Sequence, residues 1–443
     1  MTNGHDVVAR TLEMVGDRAE AEVHVDLGTT ALTRFANSFI HQNVAEDAAQ
    51  VSLRVAVDSR VARSTASATT DDALASFVDS TIDRATQQHI DKDWPGLGGP
   101  AEYVAVDHWD GATATAEPFA RAEAVKAFVD AGEGLLGAGY CQTEARHHTY
   151  GNTAGRTAAG RYTTAILDGI HQTGRSAGGS HGASVALGSI DAAALGALAA
   201  KRAQDSLDPF DAKPGEYEVI LSPECVATIG VFLDVYGFNA KVAQEGMSFA
   251  EVGAPQFDAK VDIWDDATDP RALYVPFDVE GTPKNRVDLV RGGVTTGMLH
   301  NRRTAAKDGV SSTGSAAAGA DMWGPFGWNM FIGGGETGID ELIAGVDRGI
   351  YVTTFNYCRV LDPKTLVVTG LTRNGTFMIE NGRITDPVTN LRFTQSFVKA
   401  LGEGQVLGIG NDARFADSEF GPTFVHAPSM HLGSWKFTGG AAG

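Results

Sequence analysis

Five stretches carry side chains that can do chemistry. In AEVHVDL (21–27), strict alternation puts Glu22, His24 and Asp26 on one face of a strand, with Val23, Val25 and Leu27 on the other. An imidazole between two carboxylates can ligate a metal. A solvated strand face gives the same alternation, and that is the expectation here. GGSHG (178–182) fits G-x-S-x-G, the pattern of a nucleophilic serine on a strand-to-helix turn. Its upstream neighbour GIHQTGRSA reads as loop and no helix follows directly, so a flexible Gly/Ser loop is expected. His147, His148, His171 and His181 lie in the same region without metal-ligand spacing. GIGNDA (408–413) imitates a dinucleotide-binding turn but no βαβ unit follows it. GPFGWNMFIGGGE (324–336) sets aromatics beside glycines that let another backbone approach. Strand addition of a peptide would use such a segment. Trp323, Trp328 and Asn329 are its candidate peptide-binding residues, with core packing of the aromatics as the competing reading.

Bulk properties narrow the function. The formal net charge of −20 argues against binding a nucleic-acid backbone or an anionic membrane through bulk charge. Cys141, Cys225 and Cys358 are far apart and form no CxxC pair, so neither a disulfide framework nor a thiolate zinc cage is indicated. No apolar run approaches the roughly 20 residues that span a bilayer, and 1–16 lacks an apolar signal core. A cytoplasmic protein is expected.

The elements that must position these residues follow from periodicity. Helices are expected over 5–17, 71–88 (capped by Asp71 or Asp72), 119–136 and 189–207 (Ser189 as N-cap). A hairpin is expected over 50–67 with its turn at 58–60, and strands from about 140 to 168. DPFDAKPGEYEVIL (208–221) reads as a boundary, because two prolines and a glycine separate a helix from a strand. Strands and loops dominate beyond it. The exceptions are a helix in 336–349 with Thr337 and Asp340 as a capping box, and an Asn381-Gly382 hairpin turn. The expected fold class is α+β: an N-terminal α/β domain (1–207) with an antiparallel sheet and helices, then a β-rich C-terminal domain (208–443).

Collinear segments carry a family resemblance. These are 35–67 and 150–155, then GMSFAEVG (246–253), FDVEGTPKNRVDLVRGGVTTGMLHNRRTAAKDG (277–309), GTFMIENGRITDPV (375–388), QVLGIGNDA (405–413) and APSMHLGSWKFTGG (427–440). In order and spacing they resemble the TldD/PmbA family of zinc-peptidase-related proteins. That resemblance implies a heterodimer of two branches acting on unfolded polypeptides or peptide precursors. The TldD branch carries an HExxxH helix just past the domain boundary and a C-terminal cysteine that together hold zinc; the TldE/PmbA branch lacks both. On an ideal helix, residues five apart lie about 140° apart around the axis, so HExxxH needs local π-type widening to bring both imidazoles to one ion.

Where the resemblance places that helix, this chain reads VILSPECVATIGVFL (219–233), and no histidine occurs between His181 and His300. Glu224, Asp234 and Glu245 are the remaining donors there. No cysteine follows Cys358. His300, His426 and His431 could supply a different site only if folding joins them. The resemblance therefore implies a TldE/PmbA-like, non-catalytic subunit with no catalytic or metal residues of its own. Zinc is expected in a TldD-like HExxxH partner, and enclosure and recognition of extended peptide in this chain. The alternatives are a homodimeric peptide-binding protein and a peptidase with a divergent metal site.

Overall fold

The structure, a computed structural model, describes residues 3–318 and 320–440. The first half is a six-stranded antiparallel sheet made by β1 (Glu20–Ala36), β2 (Phe39–Val57), β3 (Arg60–Ala66), β4 (Leu136–Asn152), β5 (Thr157–Gln172) and β6 (Ala177–Ser184). Their spatial order is β3-β2-β1-β4-β5-β6. The strands are far longer than the 21–27 alternation suggests. Two-residue turns set their register: Asn37-Ser38 and Asp58-Ser59 all have positive φ, as the tight hairpin turn requires.

Period-2 alternation then sorts the side chains. Val23, Val25, Leu53 and Val55 face α1 (Gly4–Val15) and α2 (Asp71–Thr86). After the short α3 (Gly111–Ala114), the helices α4 (Pro118–Asp130) and α5 (Ala192–Asp205) cover Phe35, Cys141 and Leu167 on the same face. The opposite face carries Glu22, His24 and Asp26. The expectation that this face is solvated is overturned. Tyr150 and Tyr162 on that side pack against Val275 and Phe277 from the second half of the chain, which lies over the sheet.

GGSHG is likewise not a flexible loop. It lies in β6, and the buried Ser180 hydroxyl donates to the Leu195 carbonyl in α5 at 2.7 Å. Three caps differ from expectation. No side chain caps α2, whose N-cap is Thr70. Asp191 rather than Ser189 caps α5, because only its carboxylate reaches the Ala194 N–H. The helix Ile339–Ala344 starts after Gly338 with no side-chain cap, so Thr337 and Asp340 form no box.

The second half builds two further sheets. In a nine-stranded mixed sheet, β7 (Gly215–Leu221) runs parallel to Arg348–Val352 and antiparallel to Met430–Gly440. The other is six-stranded, made of short strands around Ile263–Asp265 and Met330–Ile332. Between them lies α6 (Pro223–Leu233), which starts with Pro223 at the position where a missing N–H costs nothing. The main apolar core surrounds α6 and includes Val226, Ile229, Phe232, Phe393 and Trp435. Asn381 and Gly382 both have positive φ and make the expected turn. Among the described residues, no helix is long and apolar enough to cross a membrane.

Candidate functional site

A half-enclosed cavity of about 270 Å³ lies between the first sheet and the second half of the chain. Register creates its floor. On β1, Glu22 stands opposite Arg54 of β2, and Asp26 stands opposite His148 of β4. His24 and His148 stack with ring centroids 5.1 Å apart and share a hydrogen bond of 3.1 Å. Tyr162 stacks on the far side of His148. The roof is aromatic: Trp328 meets Tyr274 edge-on at 5.6 Å, beside Phe277.

Burial sets the protonation of this floor. It depresses His24 to about 3, helped by the neighbouring His148. It also depresses His148 to about 4, with Arg146 contributing. Both imidazoles are neutral at physiological pH. Burial raises Asp26 against the pull of Arg146. Two buried polar atoms aimed at each other, His148 Nε2 and Asp26 Oδ1, are 3.7 Å apart and make no hydrogen bond. The cavity thus offers an apolar aromatic surface with a few hydrogen-bonding points.

Two of the lining charges, Glu22 and Arg54, belong to a buried ring of four. Glu22 pairs with Arg54 and, at 2.6 Å, with Arg302; Glu280 pairs with Arg54 at 3.0 Å and with Arg302 at 3.2 Å. The Tyr150 hydroxyl donates to Glu22 at 2.9 Å. All four charged side chains are at most 10 % exposed. Burial alone would raise the Glu280 carboxyl, but the two guanidiniums hold it well below the usual range. Sequence reasoning missed this ring. One signal was present: Arg54 interrupts the apolar run VSLRVAV, and an unpaired charge is not buried in a strand.

Around α6 the donors are different. Every residue of α6 is buried, and its only ionisable side chains are Glu224 and Cys225. A widened π-turn does follow, over Asp234–Phe238, but it contains one acid and no imidazole. Glu224 pairs with Arg414 at 2.6 Å; burial opposes its charge, yet Arg414 and Arg202 hold it at about 2. Asp234 accepts from the Gly327 N–H, while burial and then Asp265 push its carboxyl well above the usual range. Asp265 itself pairs with Lys284 at 3.2 Å. Glu245 is exposed beside Lys241.

The other sequence candidates are scattered. His426 is wedged between Phe331 and Phe415, and His431 bonds Glu218. The His300 carbonyl accepts from the Ser312 and Thr313 hydroxyls. His147 packs on Trp109 and His171 on Phe128, while His181 sits 3.5 Å from Asp168. Trp323 is 68 % exposed, away from Trp328 in the cavity roof. Asn329 is fully buried; its side-chain oxygen accepts from the Leu273 N–H, and its own N–H donates to Asp265. Among the described residues, no group of three or more His, Cys, Asp or Glu is placed to hold a metal ion.

A profile of the PmbA/TldA metallopeptidase C-terminal domain matches residues 214–439. The chain belongs to the TldD/PmbA family. Among relatives of this metallopeptidase-related family, a metalloprotease of Synechocystis sp. is 29% identical over 264 residues, 54% of this chain and 52% of that protein. A metalloprotease of Methanothermobacter thermautotrophicus is 27% identical over 252 residues, 56% of this chain and 54% of that protein. The chain spans about half the length of the curated relatives it matches. The fold matches TldE from Thermococcus kodakarensis with a TM-score of 0.85 at 18% identity, over 98% of this chain and 99% of that one. It matches equally a Thermotoga maritima protein described as a candidate modulator of a DNA gyrase, with a TM-score of 0.85 at 18% identity, over 98% and 100%. The zinc that a metallopeptidase family implies does not fit the donors at α6, which are a guanidinium-paired glutamate and a buried acid outside the carboxylate range. A catalytic zinc takes about three protein ligands.

Proposed function

We propose that this chain is the non-catalytic, TldE-like subunit of a heterodimeric zinc metallopeptidase acting on unfolded polypeptides or peptide precursors. Its zinc-bearing partner is a TldD-like chain. The observation that carries the reading is the donor set at α6 and its π-turn: the widened backbone is present, and both imidazoles are missing. The contribution of this subunit is enclosure and recognition of extended peptide. The aromatic-roofed cavity suits an apolar side chain of such a peptide better than a charged one, because Glu22 and Arg54 in its lining are already paired within the four-charge ring.

Purification of this chain alone and together with a TldD-like chain, with zinc analysis and a peptidase assay on an unfolded substrate, tests the reading. Zinc and activity should appear only with the partner. Stoichiometric zinc and hydrolysis by the chain alone would sink it and favour a divergent metal site.

A further inference from the structure

The outer edge of β2 is open along 39–50. β3 pairs only with 51–57, and among the described residues no other strand or bridge lies on that side. At about 3.4 Å per residue, this is roughly 40 Å of unpaired main-chain donors and acceptors. Natural edges of this kind are blocked by charged side chains, Lys above all, by Pro, by bulges or by shortness; the charges of this one are Glu46 and Asp47. The stretch FIHQNVAEDAAQ has no Lys and no Pro, and its one register shift lies at the turn end, opposite Arg34 and Phe35. Apolar side chains are bare on both faces. Val44 stands opposite Leu32 on the cavity side, and Ile40 stands opposite Phe35 on the helix side. Phe39, Ile40 and Val44 are 58%, 39% and 43% exposed.

We propose that the zinc-bearing partner docks here, adding its own edge strand antiparallel to β2 so that one sheet runs through both subunits. The proposal rests on the heterodimer reading above. Three observations select a folded partner chain. A lone extended peptide would satisfy the ladder but leave apolar groups on both faces in water, whereas a sheet edge brings neighbours to each face. A second copy of this chain would bring a further −20 charge, and 39–50 offers no Lys or Arg to meet Glu46 and Asp47. A strand with basic or amide side chains opposite those two positions meets them. Finally, β2 continues into the cavity through Gln50, Ser52 and Arg54, so a strand added outside it becomes the outer wall of the approach to that cavity.

Amide hydrogen exchange on the isolated chain and on the purified complex with a TldD-like chain tests this. The amides of 39–50 that point away from β1, about half of them, should exchange fast in the isolated chain and slow about tenfold or more in the complex. Phe39→Lys with Val44→Lys should weaken association about tenfold or more and leave the melting of the isolated chain unchanged. A complex in which 39–50 exchanges as it does in the free chain overturns the docking surface alone. Failure to form any complex overturns the heterodimer reading with it. Protection of 39–50 by a reduced, carboxymethylated polypeptide, or by concentrating this chain alone, assigns the edge to peptide or to a second copy and also overturns the proposal.

Discussion

Glu22 on the first sheet and Arg302 in the second half of the chain meet at 2.6 Å, 280 residues apart in sequence and both nearly buried. Arg302 also donates its backbone N–H to Glu280, so one residue ties two carboxylates to the interface. Removing its side chain leaves two buried carboxylates sharing the single guanidinium of Arg54, with one negative charge uncompensated. Arg302→Ala should cost about 3–5 kcal/mol, as for other broken buried pairs, measured by chemical denaturation near neutral pH. A change below about 1 kcal/mol would mean the ring is solvated in solution.

Tyr150 lies against Gly281, which has φ +63 and would place a Cβ 2.3 Å from the tyrosine ring. Gly281→Ala therefore combines a left-handed backbone with overpacking. It should destabilise by about 1–3 kcal/mol. Unchanged melting of that variant would contradict the close docking of the two halves.

The stacked His24–His148 pair makes stability depend on pH. The folded values of about 3 and 4 lie below the ordinary 6.5, so protonation favours the unfolded chain. Stability from this source is full above 6.5 and is lost as pH falls from there toward about 4. Asp417, raised to about 6 by burial, and the raised Asp278 act with the opposite sign. The contrast with a His24→Gln/His148→Gln variant isolates the pair. Between about pH 7.5 and about pH 5.0 the wild type should lose more unfolding free energy than the variant. Parallel losses would refute neutral, buried imidazoles.

Glu224 is buried and held by Arg414, and the non-catalytic reading gives it no role as a general base. Glu224→Gln should cost about 1–3 kcal/mol of stability. Peptidase activity of the reconstituted complex, assayed below the variant's melting temperature, should stay within about twofold. Loss of turnover at full folding would restore Glu224 as a catalytic candidate.

Trp328 and Trp323 separate two uses of one segment. Trp328→Ala opens the cavity roof and should raise KM of the complex for unfolded peptide about threefold to tenfold, with Trp323→Ala nearer to wild type. Equal effects from both would remove the cavity from peptide recognition.

Local chemistry was legible where it depended on neighbours in the chain. The hairpin turns at 58–59 and 381–382, the amphipathic α1 and the missing imidazoles at 219–233 are all of this kind. Caps were misplaced by one or two residues, as at Ser189 against Asp191, because several short polar side chains compete for the same exposed N–H groups and only the final backbone geometry selects one. Trp328 was picked out by sequence. Its partners Tyr274 and Phe277 were not, since nothing in a linear pattern joins 274 to 328.

The order of residues by itself determined the α+β class, the alternation that sorts the faces of β1, and the lack of any histidine in 219–233. These follow from side-chain type and local period, which do not wait for folding. Only the tertiary structure decided what covers each face. Glu22, His24 and Asp26 read as a water-facing row, yet strand register and the second half of the chain turn them into the floor of a cavity with paired charges and neutral imidazoles. A period-2 pattern states that one face is polar. Whether that face meets water, an arginine from 280 residues away or another subunit is a matter of long-range packing and desolvation, which no local pattern encodes.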